Sequence, residues 1–300
     1  MPPRPHILVV NGRKVRQPVF VIGAPHSGAD LLARALKQSP GFHVTVGQRS
    51  VMSVVYAFAR SPSIQRGRGE AAATVLRDAF AQAWQVTAHG CLACSQACRD
   101  AGEPNGTGMC IAERDIRRYG DASPDLMYCA EGLVDAFPDA RIVQIIRDGR
   151  DVVAAMLADA DSLAWFKPGV ANVDSESPNP FFGIETASDL AAWPGLSLAG
   201  KCAMRWRGSV RTMARLRSSM PPERLTTLRY EQVIRQPAAA TRAISGFVVA
   251  DLAAIGVRVR GRVDPMAVQS GGWRRTLTPQ QVTDVEQVAG IDLRRVGYGA

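Results

Sequence analysis

The chain is expected to fold as an α/β protein, with a doubly wound, mainly parallel sheet flanked by helices. Three observations predict it. The apolar run VFVI (19–22) leads through a glycine-bearing turn into LLARAL (31–36), a strand-turn-helix unit. ARIVQII (140–146), RDGR and DVVAAMLA (151–158) repeat that arrangement. Both strands are continuous apolar runs rather than alternating ones, as expected where helices cover both faces of a parallel sheet. The 300 residues are 46% apolar, enough for one domain over 1–300 with a sizeable core.

The elements follow in order. The first strand is placed at Val19–Gly23 and its helix at about 28–38, with Leu31, Leu32, Ala35 and Leu36 as the apolar stripe and SPG (39–41) as the stop. Residues 50–60 and 70–88 have helical spacing. Residues 90–125, rich in Gly, Cys, Pro and Asp, show no period and are taken as a Cys-rich insertion. After the second strand-turn-helix unit, 158–197 is loop-rich, with Trp165, Phe166, Phe181, Phe182 and Trp193 among prolines and glycines. Such a long loop in a compact domain usually carries function or is mobile, although each aromatic equally suits a core. A long helix is expected at 199–219, a strand at 224–230, further helix at 231–250, and a last helix capped by Thr278 with Pro279 behind it. No internal repeats are present.

The net charge of +9 favours anionic partners. Only four of the 36 basic residues are lysines, and the arginines are dispersed, without a basic block or interleaved aromatics. That distribution argues against a nucleic-acid partner. No apolar run approaches the ~18–20 residues of a membrane span, and the N-terminal segment lacks the apolar core of a signal peptide, so a cytoplasmic location is expected. Oligomeric state has no signal in the sequence.

The first turn reads GAPHSGAD (23–30). Gly23 and Gly28 have Walker-loop spacing, but Ala29 and Asp30 stand where lysine and a hydroxyl residue belong. Without that lysine and magnesium ligand, an NTP-dependent kinase or NTPase is disfavoured. The stretch more closely resembles the 5′-phosphosulfate loop of sulfotransferases that use 3′-phosphoadenosine 5′-phosphosulfate (PAPS). IIRDGRDVV (145–153) resembles the 3′-phosphate segment of that family, LRYEQVIRQP (228–237) its later strand and helix, and GGWRRTLTPQQ (271–281) with GYG (297–299) its C-terminal loop. The four segments occur in the family's order across roughly 17–299.

The resemblance implies a P-loop-like sulfotransferase fold and sulfuryl transfer from PAPS, releasing adenosine 3′,5′-bisphosphate, to a hydroxyl or amine of a small-molecule or carbohydrate acceptor, which would sit against 43–60 and the acceptor-side loop 158–197. It implies donor binding by Pro25, His26, Ser27, Gly28, Ala29, Asp30 and Leu31 in the first loop, by Arg147 and Ala155, by Tyr230, and by Gly272, Trp273, Arg274 and Arg275. The chain departs from the family pattern at contact positions. His26 is the loop's basic residue, Ala29 and Asp30 replace hydroxyls, Ala155 replaces a serine, and Gln48 is nearest to where relatives carry a catalytic glutamate. A lost hydroxyl contact costs about 0.5–1.5 kcal/mol. A carboxylate some 4–5 Å from a phosphate costs about 1–4 kcal/mol. These losses motivate the alternative of a non-catalytic or repurposed member that binds a nucleotide, another anion or a protein. His26, Asp30 and His43 are the candidate catalytic groups. Their plainer roles are a turn residue, a helix-start carboxylate and a structural histidine.

CLACSQAC (91–98) gives Cys91, Cys94 and Cys98, and Cys110 follows. The first pair has the spacing of a zinc knuckle, and four thiolates would complete a structural zinc site. Buried or disulfide-bonded cysteines, or an iron–sulfur cluster, are the other readings, and His89 is a substitute ligand. Cys129 and Cys202 are expected in the core.

Overall fold

Five strands run parallel in one sheet: β1 (Val19–Ile22), β2 (Phe42–Thr45), β3 (Arg118–Asp121), β4 (Arg141–Ile146) and β5 (Leu225–Arg229). Their spatial order is β2-β3-β1-β4-β5. The computed structural model describes residues 7–66, 69–87, 90–91, 94–102, 110–170, 173, 176–248, 250 and 270–299. His89 lies outside the described residues.

Around the sheet stand α1 (Ala29–Lys37), α2 (Arg49–Arg60), α3 (Gly69–Ala83), α4 (Gln96–Gly102), α5 (Gly149–Leu157), α6 (Leu198–Ser219) and α7 (Pro279–Arg295). β1 explains the two-sided covering. Phe20 and Ile22 face α2, α3 and α6, while Val19 and Val21 face α1 and the helix Pro237–Val248. None of the four is more than 1% exposed. Strand periodicity sends successive side chains to opposite faces, so a buried run supplies both cores at once. On the first face, Phe20 packs on Phe80 and Phe137 at ring separations of 5.1 and 5.2 Å, distances that suit tilted aromatic pairs.

The doubly wound architecture matches the expectation, and two strands were missed. β2 and β3 are short, and β3 reads RYGD, with one apolar side chain. Neither carries the apolar run that marks β1 and β4. Residues 118–121 pair with both β1 and β2, so the end of the 90–125 segment belongs to the sheet. The 158–197 stretch holds a short helix (Ala160–Ala164), a second one (Ala187–Ala192) and single turns. Its aromatics pack into a satellite core: Phe181, Phe182 and Trp193 are buried there, with Trp165 and Phe166 against them.

The C-terminal tail is pinned. The Tyr298 hydroxyl donates to Glu231 at 2.6 Å, and the same carboxylate accepts from the Asp148 amide at 3.0 Å. Arg229 lies over the Tyr298 ring at 4.2 Å. The tail therefore braces the turn that follows β4. Tyr298→Phe deprives the buried Glu231 of one partner, and a loss of about 1–3 kcal/mol is expected in urea unfolding. A change below about 0.5 kcal/mol contradicts the bracing role.

Candidate functional site: a phosphate loop at the switch point

β1 turns one way to β2, and β4 turns the other way to β5. The crevice between their C-terminal ends is the topological switch point, where ligands bind in open α/β sheets. The loops that meet there are 23–28 and 147–148, both singled out by the sequence.

Gly28 caps α1 with a left-handed φ of 95°. A Cβ at this position would run into the Tyr230 ring, so glycine is required by conformation and by space. The first amides of α1 have no carbonyl partner within the helix, and the macrodipole favours an anion beside them. Two amides of the loop are committed elsewhere: Ser27 donates to the Ala24 carbonyl at 3.1 Å and Leu31 to the Gly28 carbonyl at 3.2 Å. That leaves the amides of Gly28, Ala29 and Asp30 as the anion-facing set. The Ser27 hydroxyl is buried without a partner among the described residues, a donor set where a phosphate oxygen would accept from it. Leu31 itself points its side chain into the core.

Arg147 sits at the end of β4 and is 3% exposed. Its guanidinium lies 4.4 Å from the centre of the Tyr230 ring, and Nη1 donates to the His26 carbonyl at 2.9 Å. Burial pushes the Tyr230 hydroxyl up to about 12, so the phenol stays protonated. Arg150 is engaged structurally, with hydrogen bonds to Asp148 and the Tyr298 carbonyl at 2.9 and 2.8 Å. The 271–276 loop is anchored to α5. Asp151 accepts from the amides of Gly271 and Trp273 at 2.7 and 2.9 Å, and Trp273 carries the guanidiniums of Arg150 and Arg274 at 4.3 and 4.4 Å. Ala155 lies half-buried on α5, two turns beyond Arg147.

A cleft of about 410 Å³ opens beside the phosphate loop. Pro25, His26, Ser27, Gly28, Ala29 and Asp30 line it. The opposite wall holds Trp165, one of the aromatics singled out in the 158–197 loop, together with Tyr56, Asp125, Asp159, Ser162 and Arg205, which sequence reasoning did not single out. Arg205 is 1% exposed, pairs with Asp125 at 2.5 Å and lies 3.9 Å from the Phe181 ring centre. For Asp159 and Ser162 the local sequence trace is DADS (159–162), a helix-cap pattern. Asp159 accepts there from the amides of Asp161 and Ser162.

His43 is corrected. It belongs to β2, is 1% exposed, and does not line the cleft. Burial, and then the Lys37 ammonium, hold its pKa down at about 4, so it is neutral in the fold and out of reach of the cleft. Gln48, at the start of α2, is likewise buried and absent from the cleft wall.

The six described cysteines are all free. Cys91, Cys94, Cys98 and Cys110 share thiol hydrogen bonds. Lys37, at the end of α1, donates to the Cys98 sulfur at 3.1 Å and to the Val44 carbonyl at 2.7 Å. Among the described residues, no group of three or more His, Cys, Asp or Glu side chains is arranged to hold a metal ion, so the structure does not support the zinc expectation. Cys129 and Cys202 are core residues, as expected.

The fold and loop together define a doubly wound α/β protein with a candidate anion site at its switch point. Residues 18–176, more than half of the chain, match the family model described as the sulfotransferase family, and the chain belongs to that family. It is similar in structure to the sulfotransferase from Alicyclobacillus acidocaldarius, at 15% identity over 92% of this chain and 96% of that one, with a TM-score of 0.44. It is similar to the sulfotransferase domain of the Synechococcus PCC 7002 olefin synthase, at 13% identity over 91% and 94% of the two chains, with a TM-score of 0.47. It is also similar to mouse sulfotransferase SULT7A1 complexed with PAP, at 13% identity over 93% and 86%, with a TM-score of 0.45. No curated protein matches the chain significantly in sequence. No helix among the described residues is long and apolar enough to cross a membrane.

The buried His43 makes stability depend on pH. A histidine whose folded pKa is depressed binds fewer protons than the unfolded chain, so stability is lost as pH falls from about 6.5 toward about 4. Its full contribution is on the order of 3 kcal/mol. His43→Phe is expected to flatten that part of the stability–pH curve in urea titrations. An unchanged slope contradicts a buried neutral imidazole.

Proposed function

We propose that this chain transfers the sulfuryl group of PAPS to a hydroxyl or amine of a small-molecule or carbohydrate acceptor. The observation that carries the proposal is the pairing of a preformed anion loop with a buried arginine across the switch point. Amides of Gly28, Ala29 and Asp30 and the Ser27 hydroxyl take the 5′-phosphosulfate. Arg147 takes the 3′-phosphate, and Trp273 with Arg274 and Arg275 closes over the nucleotide. The acceptor occupies the cleft between the loop and the wall formed by Tyr56, Trp165 and the Asp125–Arg205 pair. The apolar rings supply contact area there, and the ion pair offers directional hydrogen bonding. In-line transfer then depends on positioning and on stabilised charge at the leaving oxygen.

One observation favours a second reading, a family member that binds nucleotide without turnover. Asp30 stands in the first turn of α1 and lines the cleft, where its carboxylate opposes the incoming anion. The part of the 90–125 segment that precedes β3 is proposed to be an insertion pinned to α1 through Lys37 and the thiol cluster. Elemental analysis of the purified protein tests whether those thiols also hold zinc: about one ion per chain supports it, and paired thiols with no ion reject it.

Calorimetry with adenosine 3′,5′-bisphosphate tests the donor site. Arg147→Ala is expected to weaken binding by about 10- to 100-fold, the worth of charge-assisted hydrogen bonds. Asp30→Thr is expected to tighten PAPS by on the order of 10-fold by removing a like charge. No binding of either adenosine compound to the wild-type protein rejects the donor assignment.

A further inference from the structure

His26 has an unusual setting for a phosphate-loop residue. Its backbone is left-handed, with φ at 59°, a conformation that costs on the order of 1 kcal/mol outside glycine. The structure holds it there through the Arg147 hydrogen bond to its carbonyl. The imidazole reaches across the cleft, and Nε2 stands 3.2 Å from the Asp159 carboxylate and 3.3 Å from the Ser162 hydroxyl.

Asp159 is itself fixed. Its Oδ2 accepts from the Ser162 hydroxyl at 2.6 Å and from the Ser162 amide at 3.2 Å, and Oδ1 accepts from the Asp161 amide at 3.2 Å. Burial opposes its charge, but these bonds and the neighbouring His26 outweigh burial and hold the carboxyl below the usual range. An ionised carboxylate only accepts hydrogen bonds. The proton between the two residues therefore sits on Nε2, and in the neutral ring Nδ1 is left as a bare lone pair. A histidine oriented by a carboxylate through one ring nitrogen, with the other nitrogen available, is the arrangement of a general base. The cleft's other acidic groups are placed differently. Asp30 is exposed in the first turn of α1, Asp125 is tied to Arg205 at 2.5 Å, and Asp161 is exposed.

We infer that His26 is the base that takes the acceptor's proton, and that Asp159 is the residue that positions it. The inference rests on the sulfotransfer reading above. In the step, the acceptor's O–H or N–H bond breaks and its proton goes to Nδ1. The acceptor's electron pair forms the new bond to sulfur. The bond from sulfur to the 5′-phosphate oxygen breaks, and its pair leaves with adenosine 3′,5′-bisphosphate. One residue of the phosphate loop thus carries both the turn geometry and the proton transfer, and Arg147 links it to the 3′-phosphate side.

Two readouts test the inference on the full chain. Nitrogen-resolved NMR of the imidazole at about pH 8 reads the tautomer, with and without adenosine 3′,5′-bisphosphate. Nε2–H is expected in the wild type and a tautomer mixture in Asp159→Asn. Asparagine caps a helix as well as aspartate does, so this variant keeps the fold. Turnover of PAPS, with water and a panel of simple phenols and alcohols as acceptors, reads the role. His26→Gln is expected to lower kcat on the order of 100-fold, and Asp159→Asn by at least about 10-fold. KM for PAPS is expected to stay within about threefold in both variants. A purely structural Asp159 would leave the tautomer and kcat unmoved. An Nδ1–H tautomer in the wild type, or an unchanged kcat in Asp159→Asn, overturns the inference alone. Failure of the wild-type chain to bind adenosine 3′,5′-bisphosphate in calorimetry overturns the sulfotransfer reading together with it.

Discussion

The guanidinium of Arg147 is the contact on which the site depends. It lies flat on Tyr230, whose ring fills the space that a Cβ at position 28 would need, and it holds the carbonyl of His26. Three chain segments far apart in sequence are thereby locked into one geometry: the turn after β1, the end of β4 and the start of the helix after β5. The hydrogen bond and the ring contact hold the turn in that geometry. Preorganisation of this kind spares the ordering cost that a loop would otherwise incur on binding. Behind it, Glu231 joins the Asp148 amide to the Tyr298 hydroxyl, so the C-terminal tail supports the same turn from outside.

This arrangement also answers the electrostatic objection raised by the loop's own composition. GAPHSGAD carries no lysine or arginine and ends in an aspartate. Positive potential comes instead from the helix start, from Arg147, and from the arginines gathered on Trp273. Charge brought from outside a loop can replace charge inside it because the interaction falls off slowly at low dielectric. Asp30, exposed in the first turn of α1 and lining the cleft, remains the opposing charge.

The sheet was legible where strands were continuous apolar runs. VFVI and ARIVQII announced β1 and β4, and LTTLR followed from its setting between helices. FHVT and RYGD did not announce themselves, because a four-residue strand with polar members has no period to read and is fixed by its neighbours' hydrogen bonds. The turn after β1 was legible as glycines between a strand and a helix, whereas Arg147, Tyr230 and the 271–275 loop were named through the family resemblance. Asp159, Asp125 and Arg205 were not. Each reaches the cleft through tertiary packing, Arg205 from the middle of a long helix where an arginine ordinarily faces solvent. Of the two readings of His43, a base or a structural histidine, its burial in β2 fits the second, and that burial cannot be seen in one sequence. The aromatics of 158–197 serve mainly as a second core, with Trp165 alone among them lining the cleft.

A crystal structure of the full chain with adenosine 3′,5′-bisphosphate tests the central claim most directly. The account predicts the 5′-phosphate on the amides of residues 28–30 and the 3′-phosphate on Arg147. It also predicts that the left-handed backbone of His26 and its contact with Asp159 are retained. A nucleotide bound away from Arg147, or a phosphate loop that must refold to receive it, would contradict the claim that this site is prebuilt for a 3′-phosphorylated donor.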